Sequence, residues 1–344
     1  MKSIHEIIFE NSNNMERLND QSVALIVTSS PYPMIEMWDL QFSQSNPEIR
    51  EALDEGRGKQ AFELMHAELD KTWTETYRVL KDGGMACINI GDATRKIGNN
   101  FRLFSNHSRI LSHCLGLGFS TLPSILWRKQ TNAPNKFLGS GMLPSNAYVT
   151  LEHEYILILR KGRIRKFKEN EKQRRYESAY FWEERNAWFS DIWLDLKGTG
   201  QNLNNSNVRL RSAAYPFELA YRLINMYSIQ GDLVLDPFLG MGTTITAAMA
   251  SNRNSFGYEI EKGFKPLIEE SLLAVKPFAN NYLRYRLNKH QKFINKMVDK
   301  NKPVKYQADK YDFKVVTSQE TKIHLPFLKT INKLTDWKYE VIYE

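Results

Sequence analysis

The chain has 344 residues, of which 42% are apolar and 25% charged, a composition typical of a globular protein rather than a disordered or fibrous one. Its net charge of +8 favours a polyanionic partner, and two cysteines, Cys87 and Cys114, are too few for a disulfide framework or a zinc cluster. Because we find neither a secretory signal nor an apolar run long enough to cross a bilayer, we expect a cytoplasmic protein without a membrane partner.

The first elements predict a short strand and then a buried one. Residues 7–9 are apolar and end at Glu10 and Asn11. Residues 22–27 form a compact, β-branched apolar run, which predicts a buried strand. Residues 28–33, Thr-Ser-Ser-Pro-Tyr-Pro, stop that strand abruptly and leave a rigid polar turn at its carboxyl end. Open α/β sheets place their chemistry at such ends.

The middle of the chain alternates between helical and extended patterns. Apolar residues recur at three- and four-residue steps over residues 59–80, which predicts an amphipathic helix, and glycines 83 and 84 end it. We predict strands at 85–90, 121–127 and 155–159, with a helix at 101–115 between the first two. Glu152-His153-Glu154 precedes the last strand, but no second histidine stands at ligand spacing. We interpret these three as polar residues that open the strand.

A basic segment follows that strand. Its cations are Arg160, Lys161, Arg163, Arg165, Lys166, Lys168, Lys172, Arg174 and Arg175, and five aromatic residues follow by position 188. A charge run is usually a solvated surface. Dense cations with aromatics close behind, inserted between two halves of an α/β sheet, nevertheless favour a region that contacts phosphates and bases. We expect Arg209 and Arg211, after a Gly- and Asn-rich stretch, to face phosphate as well.

A second strand–turn–helix unit lies at residues 232–250. Residues 233–235 predict a buried strand that ends at Asp236-Pro237, and a glycine loop then leads into an alanine-rich helix. Such a unit offers backbone N–H groups to a ligand. The loop lacks the lysine of a phosphate-binding G-x-x-x-x-G-K-[ST] loop, and Ile245 replaces the third glycine of G-x-G-x-x-G. The pattern therefore predicts a ligand that needs close backbone approach but carries no phosphate.

An acidic residue at the end of the next predicted strand extends this unit. Residues 255–260 predict a short strand that contains Glu259, about twenty residues beyond the first strand, where a carboxylate can accept both hydroxyls of a ribose. The alternative is that Glu259 is a surface carboxylate and Asp236 a helix cap.

Two motifs in these segments resemble those of DNA amino-methyltransferases. Residues 236–244, D-P-F-x-G-x-G-T-T, with the following G-x-E strand, resemble the S-adenosylmethionine site of that family, and residues 29–32 resemble its S/D-P-P-Y catalytic motif. The resemblance implies S-adenosyl-L-methionine as cofactor, without a metal. It assigns cofactor binding to Asp236, Pro237, Phe238, Gly240, Gly242, Thr243, Thr244, Glu259, Tyr215 and Glu10. It assigns catalysis to Ser29, Ser30, Pro31 and Tyr32.

The order of the motifs resembles the beta arrangement of the family, with the catalytic motif first. This implies a Rossmann-like, mostly parallel α/β sheet with circularly permuted motifs and an inserted target-recognition region. We predict a catalytic half at 1–130, a DNA-binding insert at 131–211, a cofactor half at 212–276 and a basic extension at 277–344. Trp127 and the residues up to Pro134 resemble a further family stretch, W-x-K-x-N-x-x-P.

The resemblance of the catalytic motif also implies a reaction. In that family the Ser29 hydroxyl oxygen and the Ser30 carbonyl would hold the amine of a flipped base, with Tyr32 stacking on it. Serine at position 29 favours N4 methylation of cytosine in double-stranded DNA, whereas Ser30 departs from the family's proline. Adenine N6 methylation, RNA methylation and non-enzymatic DNA binding are the alternatives. A cognate restriction endonuclease in a prokaryotic restriction-modification system is the expected functional partner.

Overall fold

The computed structural model describes residues 1–129, 138–197 and 215–344. Its strands are β1 Lys2–Ile8, β2 Val23–Ser29, β3 Leu80–Ile90, β4 Ala93–Ile97, β5 Asn100–Phe104, β6 Phe119–Arg128, β7 Leu138–Gly139, β8 Ala147–Tyr148, β9 His153–Lys161, β10 Ile192–Trp193, β11 Leu233–Asp236, β12 Asn254–Tyr258, β13 Tyr306–Gln307, β14 Lys314–Val315, β15 Leu328–Thr335 and β16 Lys338–Tyr343. Its α-helices are α1 Asp39–Ser45, α2 Glu48–Asp54, α3 Gly58–Val79, α4 Asn106–Gly116, α5 Glu169–Glu177, α6 Trp182–Trp188, α7 Phe217–Tyr227, α8 Thr243–Met249 and α9 Lys265–Asp299.

Ten of the described strands form one sheet, in the order β10-β6-β9-β3-β2-β11-β12-β1-β16-β15. The neighbours β3-β2-β11-β12-β1 are all parallel, whereas β9 runs antiparallel to β3 and β6, and β16 runs antiparallel to β1. This mostly parallel sheet confirms the predicted fold class. Because β2 and β11 are neighbours, their carboxyl ends meet although about two hundred residues separate them in the chain.

Apolar residues on both faces of the sheet hold the helices in place. Six of the seven β2 residues are buried, as expected of a central strand covered on both faces. One apolar core lies between one face of the sheet and helices α7, α8 and α9. The other lies between the opposite face and helices α3 and α4. The helix predicted at 59–80 is confirmed as α3, which buries Met65, Leu69 and Trp73.

The helix predicted at 101–115 is wrong over its first residues. Residues 100–104 form strand β5, which pairs with β4 in a hairpin, and helix α4 begins only at Asn106. Gly98, at φ +57°, lies in the turn of that hairpin. The pairing with β4 is local and is closed by the two-residue turn Gly98-Asn99, which the apolar spacing of residues 101–104 does not record.

Parts of the predicted insert and extension also belong to the sheet. Strand β9, within 131–211, pairs with β3 on one side and β6 on the other. Strands β15 and β16, within 277–344, form a hairpin on the outer edge of β1. These contacts do not define independent domains. The four domain ranges therefore stay a prediction. Among the described residues, no helix is both long and apolar enough to cross a bilayer.

Candidate active site

The two predicted motifs meet at the carboxyl edge of the sheet. The Thr28 hydroxyl, at the end of β2, donates a 2.6 Å hydrogen bond to the Asp236 carboxylate, at the end of β11. The Thr244 hydroxyl, in the first turn of α8, donates to the same carboxylate at 2.5 Å and lies 3.3 Å from the Val27 carbonyl oxygen. Side chains from both motifs are therefore tied together directly.

One cavity of about 280 Å³ opens between these loops. Its volume is close to the lower end of the roughly 300–1,000 Å³ typical of small-molecule sites. Most of the predicted cofactor and catalytic residues line it: Glu10, Ser29, Ser30, Pro31, Tyr215, Asp236, Pro237, Phe238, Gly240, Thr243 and Glu259. Glu10 also pairs with Arg17 at 2.9 Å, near the mouth of the cavity. Gly242, Thr244 and Tyr32 lie just behind the lining.

The glycine loop has the backbone conformation that its sequence requires. Gly242 has φ +81°, in the left-handed region, and caps α8. The Leu239 N–H donates to the Tyr258 carbonyl at 2.8 Å, which holds the loop against β12. A Cβ on Gly257 would lie 2.9 Å from the Leu239 side chain, so a larger residue there would displace the end of that side chain.

Glu259 brings a buried carboxylate to the cavity. It is 8% exposed and accepts hydrogen bonds from the backbone N–H groups of Gly240 and Glu261, each at 2.7 Å. Burial raises the pKa of Glu259 to about 7, and the two backbone donors only partly oppose that effect. This carboxyl therefore changes its charge near neutral pH, within contact range of any molecule in the cavity.

Asp236 lines the cavity, but protein donors occupy its carboxylate. Besides Thr28 and Thr244, it accepts from the Phe238 N–H at 3.1 Å and the Tyr215 hydroxyl at 3.2 Å. Burial raises its pKa above the ordinary value, while these hydrogen bonds act in the opposite direction. The visible role of Asp236 is to join the two motifs. Direct contact with a cofactor stays a prediction.

A chain of hydrogen bonds runs from Ser29 into the protein. The Ser29 hydroxyl donates to the Tyr32 hydroxyl at 3.1 Å, and Tyr32 donates to the Glu154 carboxylate at 2.9 Å. The Asn89 amide donates to Glu154 at 2.7 Å and to the Tyr32 oxygen at 2.9 Å. The Lys129 ammonium donates to the other Glu154 oxygen at 2.8 Å. Ser29 is thus the member of this polar network that lines the cavity.

Sequence reasoning missed three members of this network: Asn89, Lys129 and Glu154. Asn89 lies inside a predicted apolar strand, and the sequence favours Glu154 only as one of the residues that open β9. The available signal is that β9 carries an acid just before a run of apolar residues. The pairing of β9 with β3, which brings Glu154 to Tyr32, is not visible in the sequence.

Tyr32 and Ser30 are more buried than their predicted roles suggest. Tyr32 is 7% exposed, and its ring lies against Gly91, where a Cβ would come within 2.9 Å of the ring. Burial, followed by the charge of Glu154, raises the pKa of Tyr32 well above its usual range, so its hydroxyl stays a donor. Stacking by this ring stays a prediction. Ser30 is 2% exposed, and its hydroxyl has no hydrogen-bond partner in the described part of the chain.

The structure does not bring the predicted DNA-binding cations to this cavity. Arg160 pairs in register with Met85, the first β3 residue that pairs with β9. It lies six residues from Glu154 along β9, or about 20 Å. Arg165 donates to Asp232, which precedes β11, at 2.6 and 3.0 Å. Both therefore lie at the amino edge of the sheet, opposite the cavity.

Other cations of the basic segment either bond to residues that do not line the cavity or are exposed. The Lys161 ammonium donates to the Tyr77 carbonyl at 2.6 Å, and the Arg163 N–H donates to Asp82 at 3.1 Å. Arg174 reaches the Gln230 carbonyl at 3.4 Å, while Lys166 and Arg175 are exposed. Their contact with DNA stays a prediction. Arg209, Arg211 and residues 130–134 lie outside the described residues.

Comparisons with known proteins agree with this geometry. A protein-family model for N6/N4 methyltransferases, described as DNA methylase, matches residues 23–270. The chain is 54% identical over its full length to the type II methyltransferase M.MthZI of Methanothermobacter thermautotrophicus, covering 96% of that protein. It is 53% identical over 279 residues to the type II methyltransferase M.MjaI of Methanocaldococcus jannaschii, covering 78% of this chain and 91% of the relative.

Solved structures of DNA methylases are similar to this chain in fold. A DNA modification methylase of Thermus thermophilus, complexed with S-adenosyl-L-methionine, superposes with a TM-score of 0.61 at 30% identity. The match covers 79% of this chain and 94% of the other. The cytosine-N4-specific PvuII DNA methyltransferase matches with a TM-score of 0.51 at 17% identity over 78% of this chain and 86% of its own, which supports the fold alone.

Proposed function

Because the chain belongs to the N6/N4 DNA methylase family, in its beta class, we propose that it methylates the N4 amine of a cytosine in duplex DNA with S-adenosyl-L-methionine. The observation that carries this proposal is one cavity lined by Ser29 and Ser30 on one side and by the glycine loop and Glu259 on the other. The cavity therefore offers hydrogen-bond acceptors for an amine beside a buried carboxylate.

The cavity fits the cofactor in its chemistry. Glu259 presents a carboxylate that can accept two ribose hydroxyls, and Gly240 leaves the loop backbone open, since a Cβ there would contact nothing. Glu10 and Asn11 line the same cavity and are our candidates for contacts with the adenine. When bound, the cofactor supplies a methyl group carried on a positively charged sulfur.

The Ser29 network prepares an acceptor for the target amine. A carboxylate can only accept hydrogen bonds, so Glu154 accepts one from the Tyr32 hydroxyl, and the Tyr32 oxygen accepts one from the Ser29 hydroxyl. The Ser29 oxygen accepts only one long hydrogen bond, from the Asn89 amide at 3.5 Å, so it keeps a lone pair for an amine N–H. The chain of bonds strengthens each member. The Ser30 carbonyl is the second proposed acceptor.

Holding both amine hydrogens would pull the nitrogen toward tetrahedral geometry. Its lone pair, otherwise delocalised into the ring, would then point at the methyl group. Fixed acceptors act through placement and electrostatics, without a strong base or a covalent intermediate. Because a base inside a duplex cannot reach this cavity, we propose that the target is flipped out, at a cost of a few kcal/mol.

Ser29 favours cytosine N4 over adenine N6, because the family resemblance associates serine at this position with cytosine. The test is to incubate the protein with plasmid DNA and tritiated S-adenosyl-L-methionine, then chromatograph the digested nucleosides. Label in N4-methylcytosine supports the proposal, whereas label in N6-methyladenine refutes the cytosine assignment but leaves the family reaction intact. Ser29→Ala is the control: we expect transfer to stop while cofactor binding, measured by calorimetry, survives.

We further propose that the chain is the modification enzyme of a restriction-modification system, since two similar proteins are named type II methyltransferases. A type II modification enzyme protects the sites that a cognate endonuclease cuts. Plasmid methylated by this protein should therefore resist one restriction endonuclease in a panel. Complete cleavage by every enzyme, with methyl label present in the plasmid, would contradict this assignment.

A further inference from the structure

A second large depression lies on the other side of the molecule, beside the amino edge of the sheet. It is a groove of about 1270 Å³, which we call the amino-edge groove. Among the residues that the structure describes, six cations line it: Arg160, Arg165, Lys166, Lys172, Arg175 and Arg185. Glu320 is the one acidic residue among its described lining residues. The groove is therefore strongly basic.

Three of the charged residues that line the groove already have partners within the protein. Arg165 is neutralised by Asp232 and Glu171, and Lys172 pairs with Glu169. Glu320 is itself occupied, because it accepts hydrogen bonds from the Trp182 and Thr317 backbone N–H groups at 2.8 and 2.7 Å.

The remaining four cations have no acidic partner among the described residues: Arg160, Lys166, Arg175 and Arg185. Two of them are held in place by aromatic rings. The Arg175 guanidinium lies 4.5 Å from the Phe167 ring centroid, and that of Arg185 lies 5.8 Å from Phe189. A guanidinium over a ring keeps its N–H groups available for hydrogen bonds at its edge.

The amino-edge groove is separate from the candidate active site. Helix α7 connects them: Tyr215, just before its first turn, lines the cavity, whereas Tyr227, its last residue, lines the groove. Eleven helical residues span about 16 Å. The groove therefore lies at the opposite end of α7 from the cavity that Ser29 lines.

We propose that the amino-edge groove binds the phosphate backbone of a second segment of duplex DNA, outside the methylated site. Four unpaired cations in one concave surface match the charge of successive phosphates, which guanidinium groups bind in pairs of hydrogen bonds. The proposal rests on the DNA substrate proposed above. Its consequence is that a long DNA molecule can contact the protein twice, which raises the local concentration of target sites.

The test uses two variants with the same net charge. In the groove variant, the exposed residues Lys166, Arg175 and Arg185 are each replaced by Glu. In the matched control, Lys276, Lys305 and Lys329, which are exposed and lie outside the groove, are replaced by Glu. For both and for the unaltered protein, binding of a short fluorescent duplex is titrated at several salt concentrations, and methyl transfer to the same duplex and to plasmid is measured.

We expect the unaltered protein and the control to bind two duplexes each, and the groove variant to bind one. Loss of the groove's four phosphate contacts, once its duplex no longer binds, should lower the summed salt slope of binding by about 3.6, at about 0.9 for each contact. In the groove variant, the advantage of plasmid over the short duplex in methyl transfer should be lost. Equal stoichiometry and salt slopes in the two variants would overturn the proposal. Absence of methyl transfer by the unaltered protein would instead refute the proposed function, and the binding titration would still test the groove.

Discussion

Cofactor affinity should depend on pH through Glu259. Burial raises the pKa of this carboxyl to about 7, so it is protonated in most molecules below that pH in the free protein. Ribose hydroxyls donate best to the ionised form. Binding should therefore be strong and nearly constant above pH 7 and should weaken as the pH falls. At pH 6, about one molecule in eleven is ionised, so the dissociation constant should be about tenfold higher than at pH 8.

The same shift has a cost in stability. An ordinary glutamate in the unfolded chain has a pKa of 4.5. Between pH 4.5 and about 7 the native state keeps a proton that the unfolded chain has lost, so the contribution of Glu259 to stability falls as the pH rises through that window. Above pH 7 the full cost is about 3 kcal/mol, at about 1.4 kcal/mol for each tenfold change in the ionisation equilibrium. Donors from a bound ribose would offset part of it.

The assay is calorimetric titration with S-adenosyl-L-methionine between pH 6 and pH 8, repeated on Glu259→Gln. The variant should bind about tenfold more weakly or worse at pH 8, and its affinity should change little with pH. Subtracting the pH profile of the variant's affinity from that of the unaltered protein removes the contributions of titrating groups on the cofactor and elsewhere in the protein. If the two profiles were parallel, the assignment of Glu259 to the cofactor would be refuted.

Three further substitutions test other parts of the structure. Gly242→Ala places a side chain at φ +81° and should lower the free energy of unfolding by about 1–2 kcal/mol in urea titrations; unchanged stability would contradict the strained turn. Glu154→Gln removes the charge at the inner end of the Ser29 network, so kcat should fall about tenfold or more while the cofactor dissociation constant stays constant; a change confined to cofactor binding would count against the network. Arg286→Met leaves the buried Glu184 unpaired and should cost about 3–5 kcal/mol, whereas the double change with Glu184→Leu should restore most of it, as measured by denaturant unfolding.

Local sequence predicted the parts of the site that are local in structure. The turn after β2 and the glycine loop before α8 are each encoded by consecutive residues, because strand, turn and helix signals follow one another within about twelve positions. The family resemblance then supplied the expectation that the two units meet. The contact between Thr28 and Asp236, 208 positions apart, agrees with that expectation.

The rest depended on strand directions, which periodicity does not record. An apolar run of the β9 type predicts a strand without saying which way it runs in the sheet. Because β9 is antiparallel to β3, its first residues bring Glu154 to Tyr32, while its last residues carry Arg160 to the amino edge. One undetermined direction thus explains both the missed network and the unexpected location of the basic segment.

The hydrogen bonds of Asp236 explain why the permuted order of the motifs is compatible with one site. The site requires only that β2 and β11 be neighbours in the sheet, and the loops that connect them can run in either order. Thr28, directly before the catalytic motif, and Thr244, in the cofactor motif, both donate to this one buried carboxylate. Their attachment is therefore made within the sheet edge itself and does not depend on the long intervening chain. That intervening chain is free to carry β9, whose Glu154 reaches the same edge from the other side of β3 and completes the Ser29 network.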